Sequence, residues 1–158
     1  MNNKDKLPVR KKPAHPSPLC IVNRPTILFV TVCVAGRRPL LCTHAAHTLL
    51  LDIWHRADHW HIGRYVLMPD HIHCFSAPGN TETTFGRWME YWRSTAAREW
   101  PMEAERPLWQ RDYWDRQLRK GDNYHEKWEY VRNNPVRAGL ATNADDWPYQ
   151  GELNELRW

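Results

Sequence analysis

The sequence of 158 residues lacks any apolar run long enough to cross a membrane. Its longest apolar run, residues 27–35, has the length and the β-branched content of a buried strand. The N-terminus is charged and rich in proline, and it lacks the apolar segment of a secretory signal. We therefore expect a cytoplasmic protein with no membrane partner.

Cysteines are few and scattered, and no two of them form a C-x-x-C pair. They are Cys20, Cys33, Cys42 and Cys74. In a cytoplasmic chain this pattern predicts four reduced thiols and argues against a zinc knuckle.

The composition predicts one folded domain, and its positive charge favours a polyanionic binding partner. Hydrophobic residues make up 42% of the chain, and the net charge is +4 with a pI of about 9.0. Ten tryptophans are many for this length. Most should fill the core, while a minority would suit stacking on unpaired bases.

The first 25 residues differ from the rest of the chain. They hold six Lys or Arg against one acid, and five prolines interrupt them. Such a segment buries too little apolar surface to fold alone, so we expect a mobile basic arm, either solvated or in contact with phosphates. The interpretation is one folded domain over residues 26–150, with residues 151–158 as a short tail.

Hydrophobic periodicity predicts the order β-α-β-β-α-β-α. This order suggests an α+β fold, a ferredoxin-like sandwich with an antiparallel sheet and helices packed on one face. The expected elements are a strand over 27–34, a helix capped by Thr43 and ending near Trp60, strands over 64–68 and 71–77, a helix over about 83–100, a strand within 108–118 and a helix over 122–134, capped by Asp122 and closed by Pro135.

Two local patterns indicate chemistry. His71 and His73 alternate along a predicted strand, so both project from one face and are placed to hold one divalent cation. In the last helix, Tyr130 lies off the buried stripe formed by Tyr124, Trp128 and Val131, and Asn134 follows one turn later on the face of Tyr130. The alternative for His71 and His73 is that they are ordinary polar residues at a strand edge. The alternative for Tyr130 is that it is an ordinary surface tyrosine.

Four segments in this order resemble the REP-associated branch of the single-tyrosine HUH transposases. Residues 65–74 are similar to the His-hydrophobic-His segment, and residues 108–115 to the branch's W-Q segment. Residues 130–140 resemble the segment of the catalytic helix, which contains an Asn-Pro pair. Residues 146–149 resemble the closing D-W-P-Y segment.

The resemblance implies a ferredoxin-like catalytic domain, a monomer or homodimer that acts on single-stranded or hairpin DNA. It implies His71 and His73 as ligands of Mg²⁺ or Mn²⁺ and Tyr130 as the nucleophile that forms a 5′-phosphotyrosine. Asn134 stands where the wider group has a glutamine ligand, so it is the expected third ligand.

Five arginines are candidates for phosphate contacts, with a solvated surface charge as the alternative for each: Arg37, Arg38, Arg111, Arg132 and Arg137.

Other functions fit less of the sequence. A histidine-triad hydrolase needs a further alternate histidine where Phe75 stands, and an amidohydrolase needs a barrel that this length cannot build. The alternative from another class is a DNA-binding protein that keeps the fold without cleavage.

Overall fold

The elements of the chain follow the predicted order, with one strand added. We describe a computed structural model, which places residues 13–15, 18, 26–79 and 82–157. The strands are β1 (Leu28–Cys33), β2 (Trp60–Met68), β3 (His71–Pro78), β4 (Trp114–Gln117) and β5 (Gln150–Glu152). The helices are α1 (His44–Arg56), α2 (Phe85–Glu99), α3 (Tyr124–Arg132) and the one-turn α4 (Asn134–Arg137).

The five strands form one antiparallel sheet in the order β4-β1-β3-β2-β5. The first four strands and the two crossover helices α1 and α2 make the ferredoxin-like pattern, so the predicted fold class is confirmed. The His71–His73 segment lies on β3 in the centre of the sheet, where both edges are hydrogen bonded.

Alternation along the strands gives the sheet two buried faces. On one face, Leu28, Val30 and Val32 of β1 meet α1 and α2, and the tryptophans of those helices, Trp54, Trp88 and Trp92, are at most 4% exposed. This face holds the larger core.

The third helix packs on the opposite face of the sheet. We had expected the helices on one face only. Tyr124, Trp128 and Val131 are its buried residues, as predicted, and they pack with Phe75 and Val66. Phe75 meets the Tyr124 and Trp128 rings edge-on. Because Phe75 shares its face with His71 and His73, α3 is held beside the two histidines.

Several predicted boundaries are wrong by a few residues. Thr43 caps α1 as predicted, but that helix ends at Arg56, and Trp60 begins β2. Asn123 caps α3 instead of Asp122, whose carboxylate accepts the backbone N–H of Arg119 in the preceding turn. In both cases, the residue that we assigned to the end of a helix belongs to the neighbouring strand or turn.

The C-terminal residues are not the polar tail that we expected after residue 150. Strand β5 crosses that boundary and pairs with β2. Gly151 permits this pairing, because a Cβ there would lie 2.8 Å from the Tyr65 hydroxyl oxygen. Leu156 packs beside the core under α3.

The predicted N-terminal arm lies mostly outside the described residues. Within it, His15 stacks on Tyr113 with ring centroids 4.3 Å apart and contacts the Asp115 carboxylate. Across the described ranges, no helix is both long and apolar enough to span a bilayer.

Candidate active site

The predicted histidines lie on the sheet face that α3 partly covers. In the register of β1, β3 and β4, His73 is opposite Thr31, and Thr31 is opposite Trp114. In the next row, Arg116 is opposite Phe29, which is opposite Phe75. Side chains that are opposite one another in an antiparallel sheet share a face, so these rows form the floor of the site.

His71 is oriented by a carboxylate. Asp70 accepts a hydrogen bond from His71 Nδ1 at 2.7 Å through one oxygen and pairs with Arg37 Nε at 2.7 Å through the other. Burial alone would raise the pKa of Asp70, but the hydrogen bonds and charges of His71 and Arg37 outweigh it and lower that pKa. An anionic acceptor at Nδ1 leaves the His71 Nε2 lone pair free to bind a cation.

His73 is oriented by a hydroxyl and an aromatic ring. Its Nδ1 lies 2.8 Å from Thr31 Oγ1, and Phe29 stacks on the imidazole with centroids 5.4 Å apart. Burial, together with the charges of His71, Arg37 and Arg137, lowers the pKa of His73 to about 3. His73 is therefore neutral at physiological pH, which is the form that binds a metal.

The two imidazoles present their Nε2 atoms to each other at 3.2 Å. Their rings are nearly perpendicular, with centroids 4.7 Å apart. Within residues 13–15, 18, 26–79 and 82–157, no third His, Cys, Asp or Glu joins them in a cluster of metal-binding side chains.

Helix α3 presents Tyr130 to solvent beside the histidines. The side chain is 68% exposed, in contrast to the buried Tyr124 of the same helix. The helix ends at Arg132, and Asn134 begins α4 after Asn133, so the chain bends between Tyr130 and Asn134. We predicted that Pro135 would close the helix at Asn134, but α3 already ends at Arg132, and Asn134 and Pro135 both lie in α4. Proline is tolerated there because the first turn of a helix needs no N–H donor from it.

Tyr130, Asn134 and His73 line one open cleft of about 690 Å³. Phe29 and His73 form its floor, α3 forms one wall, and Arg116 with the turn at residues 121–123 forms the other.

Arg137 connects the two helical residues of the site. Its guanidinium lies 4.1 Å from the Tyr130 ring centroid and donates to the Tyr130 carbonyl oxygen at 2.9 Å. It also donates to the Asn134 side-chain oxygen. That oxygen is therefore already an acceptor, and Arg137 holds both side chains by cation–π and hydrogen-bond contacts.

Comparisons with known proteins agree with this geometry. A curated protein of Escherichia coli, named REP-associated tyrosine transposase, is 27% identical over 124 residues, covering 77% of this chain and 73% of that protein. A protein of Haemophilus influenzae that provisionally carries the same name is 26% identical over 102 residues, covering 58% of each chain. No family model matches the chain.

A solved structure of a REP-associated tyrosine transposase bound to a REP hairpin superposes with a TM-score of 0.67 at 21% identity, covering 89% of this chain and 81% of that one. The shared fold is thus supported independently of the sequence match. The chain is similar to REP-associated tyrosine transposases in sequence and in fold.

The arginines that we selected from the sequence as phosphate contacts do not form one group. Arg137 lies at the site, and Arg37 reaches it through Asp70. Arg38 donates to the carbonyl oxygens of Ala35, Glu105 and Pro107 and so ties a loop together.

Arg132 and Arg111 lie apart from the histidines. Arg132 pairs with Glu129 and Asp145, so its charge is compensated. Arg111 lines a second cleft beside α2. Phosphate contact by these two side chains stays a prediction.

Sequence reasoning missed the residues that support the candidate site from other elements. Thr31 and Asp70 orient the histidines, while Arg116, Glu126 and Lys127 line the cleft. A signal for Asp70 was present, because it directly precedes His71. Thr31 and Arg116 reach the site only through strand register, which no local pattern reveals.

Proposed function

We propose that this protein binds hairpin DNA and that it cuts and rejoins a single strand through a covalent bond to Tyr130, with a divalent cation as cofactor. The observation that carries the proposal is the common cleft of Tyr130, His73 and Asn134. The relative of known structure bound to a REP hairpin supports hairpin DNA as the substrate class.

The donor set fits a divalent cation. His71 and His73 offer Nε2 atoms 3.2 Å apart. The opposite ring nitrogens have polar partners, Asp70 and Thr31, as metal-binding imidazoles usually do. His71 and His73 would hold the ion, and Asn134 would supply an amide oxygen if it released Arg137.

In the proposed reaction, a residue of the chain, Tyr130, forms the new bond to phosphorus. A bound Mg²⁺ or Mn²⁺ would polarise the oxygens of the scissile phosphate. The Tyr130 oxygen attacks phosphorus and loses its proton, while the bond from phosphorus to the 3′ oxygen breaks and that oxygen is protonated. The products are a 5′-phosphotyrosine and a free 3′-hydroxyl. Because the phosphoester bond is retained, a 3′-hydroxyl can reverse the step and join two strands.

The exposure of Tyr130 suits this role. A nucleophile must reach a bulky substrate, and the Tyr130 side chain is 68% exposed. Arg137 restricts the ring by lying over its face and by donating to the Tyr130 carbonyl oxygen. The phenol is thus oriented in advance, which lowers the entropic cost of the attack.

The test uses hairpin DNA from the protein's own genomic surroundings, labelled on either side of the expected cut. Mixed with the protein and Mn²⁺ or Mg²⁺, the label 3′ of the cut should travel with the protein through denaturing electrophoresis. The label 5′ of the cut should leave with a free 3′-hydroxyl. Hairpin binding without any covalent adduct would instead establish the non-cleaving DNA-binding protein.

A further inference from the structure

Trp114 differs from the other tryptophans of the chain. Nine of the ten tryptophans fall within the described residues, and eight of those nine are at most 9% exposed. Trp114 is 53% exposed. An exposed apolar side chain is common by itself, so its position decides whether it has a function.

The strand register places Trp114 beside the candidate active site. Trp114 is opposite Thr31 on β1, and Thr31 is opposite His73 on β3. The three side chains therefore form one row on the face of the sheet that carries the histidines. Two strand spacings separate Trp114 from His73, roughly 10 Å between backbones. A nucleotide adjoining a phosphate at His73 is within that distance.

A cation lies next to the exposed ring. Arg116 is two residues further along β4, so its side chain projects from the same face, and it lines the cleft that contains Tyr130. Its side chain is 58% exposed, with a contact to Asp122 at 3.4 Å. β4 is an edge strand of the described sheet, so no further strand covers this pair.

We propose that Trp114 is a stacking platform for an unpaired base of the DNA strand that enters the cleft, with Arg116 on the adjoining phosphate. This inference rests on the proposed function. An exposed ring beside a cation matches the repeating unit of single-stranded DNA, a flat base and a charged phosphate. The base must be unstacked to expose its face, so the platform selects the single-stranded flank of a hairpin over its duplex stem.

The surroundings favour a nucleic acid over a second copy of the chain. Apart from Tyr130, the other large apolar side chains that the structure exposes are Tyr91 of α2, Met102 after α2 and Leu140 after α4. None of them is on β4 or on the strands beside it. An isolated ring with an adjacent cation is a poor core for a protein interface, which needs a contiguous apolar centre.

The experiment follows one base at a time. The full chain carrying Tyr130→Phe, which prevents cutting, is mixed with hairpins that hold 2-aminopurine at successive positions of the single-stranded flank. One position should lose fluorescence on binding, because that base stacks on Trp114. Adding Trp114→Ala should restore the fluorescence there and weaken binding about thirtyfold, near the middle of the range for one stacked base. Trp114→Phe should keep most of both effects.

Two matched variants separate stacking from charge and from general exposure. Tyr91→Ala removes an equally exposed ring, 50% accessible, from α2 and should change neither fluorescence nor affinity. Arg116→Gln should reduce the slope of log affinity against log salt by about one phosphate contact, whereas Trp114→Ala should leave that slope unchanged.

Three results would overturn the inference. They are quenching spread evenly over the flank, an unchanged fluorescence profile in Trp114→Ala, or a Trp114→Ala effect on oligomeric state alone. Failure of the proposed function is distinguishable, because it is measured as the absence of a covalent adduct in the chain with Tyr130. Base-specific quenching that depends on Trp114 without any adduct would retain the platform and reject the strand cleavage.

Discussion

Replacing Asp70 by asparagine should weaken metal binding at the two histidines. The carboxylate serves two donors at once, His71 Nδ1 and Arg37 Nε, each at 2.7 Å. Asparagine has the same shape but one oxygen, so it accepts from one donor and turns an N–H toward the other. If the amide faces His71, the imidazole is driven to the tautomer that carries its proton on Nε2, which cannot bind a cation.

The size of the effect follows from the lost bond. A hydrogen bond to a charged group contributes about 1.5–3 kcal/mol, which corresponds to roughly 10- to 150-fold in an equilibrium constant. Removing the outer partner of a metal-bound imidazole typically costs about 10- to 100-fold in metal affinity or activity. We therefore expect Asp70→Asn to raise the Mn²⁺ concentration for half-maximal cleavage by about 10- to 100-fold, with a smaller change in the rate at saturating metal.

Two measurements check this prediction. Calorimetric titration of the protein with Mn²⁺ in the absence of DNA should show the same loss of affinity as the cleavage assay, and nitrogen NMR of His71 should show the change of tautomer. The control is Asp52→Asn, which removes a carboxylate that pairs with Arg56 on the surface of α1. A folded Asp70→Asn protein with unaltered metal dependence would show that Asp70 does not support the site.

Three further predictions concern the rest of the site and the arm. His71→Ala and His73→Ala should each abolish metal-dependent cleavage while the thermal unfolding midpoint changes little, whereas the exposed His55→Ala should keep activity; cutting at the normal rate by both site variants would reject the metal site. Asn134→Ala should raise the metal requirement more than it lowers the saturated rate, and Asn134→Gln should restore part of the affinity; an unchanged requirement would place the third ligand elsewhere. Deleting residues 1–25, which hold six Lys or Arg, should reduce the salt dependence of hairpin binding. The affinity is measured by fluorescence anisotropy from low to moderate salt. The same slope of log affinity against log salt in the full and the shortened chain would show that the arm is a solvated tail.

Features that depend on neighbours along the chain could be predicted from the sequence. His71 and His73 share a face because a strand has a period of two, and the exposure of Tyr130 follows from its offset against the buried stripe of α3. The order of elements, and with it the fold class, also follows from local periodicity and turn residues.

Features that depend on contacts between distant segments could not be predicted. Periodicity shows that α3 has a buried stripe, but not which face of the sheet that stripe covers. Arg37 and Asp70 meet across a long separation in the chain, and Trp114 reaches His73 only through the register of β4 and β1. Strand β5 is three residues long, too short for an alternating pattern to distinguish it from a tail.

The central claim is that Tyr130 is the nucleophile, and mass spectrometry of the adduct tests it most directly. Trypsin should release residues 128–132 after Lys127 and Arg132, a peptide in which Tyr130 is the single tyrosine. After reaction with a hairpin and nuclease trimming, we expect the nucleotide mass on this peptide and no adduct from Tyr130→Phe, which should still bind the hairpin with near-normal affinity. Nucleotide mass on the peptides that carry Tyr124 or Tyr113, or an adduct that persists in Tyr130→Phe, would contradict the assignment.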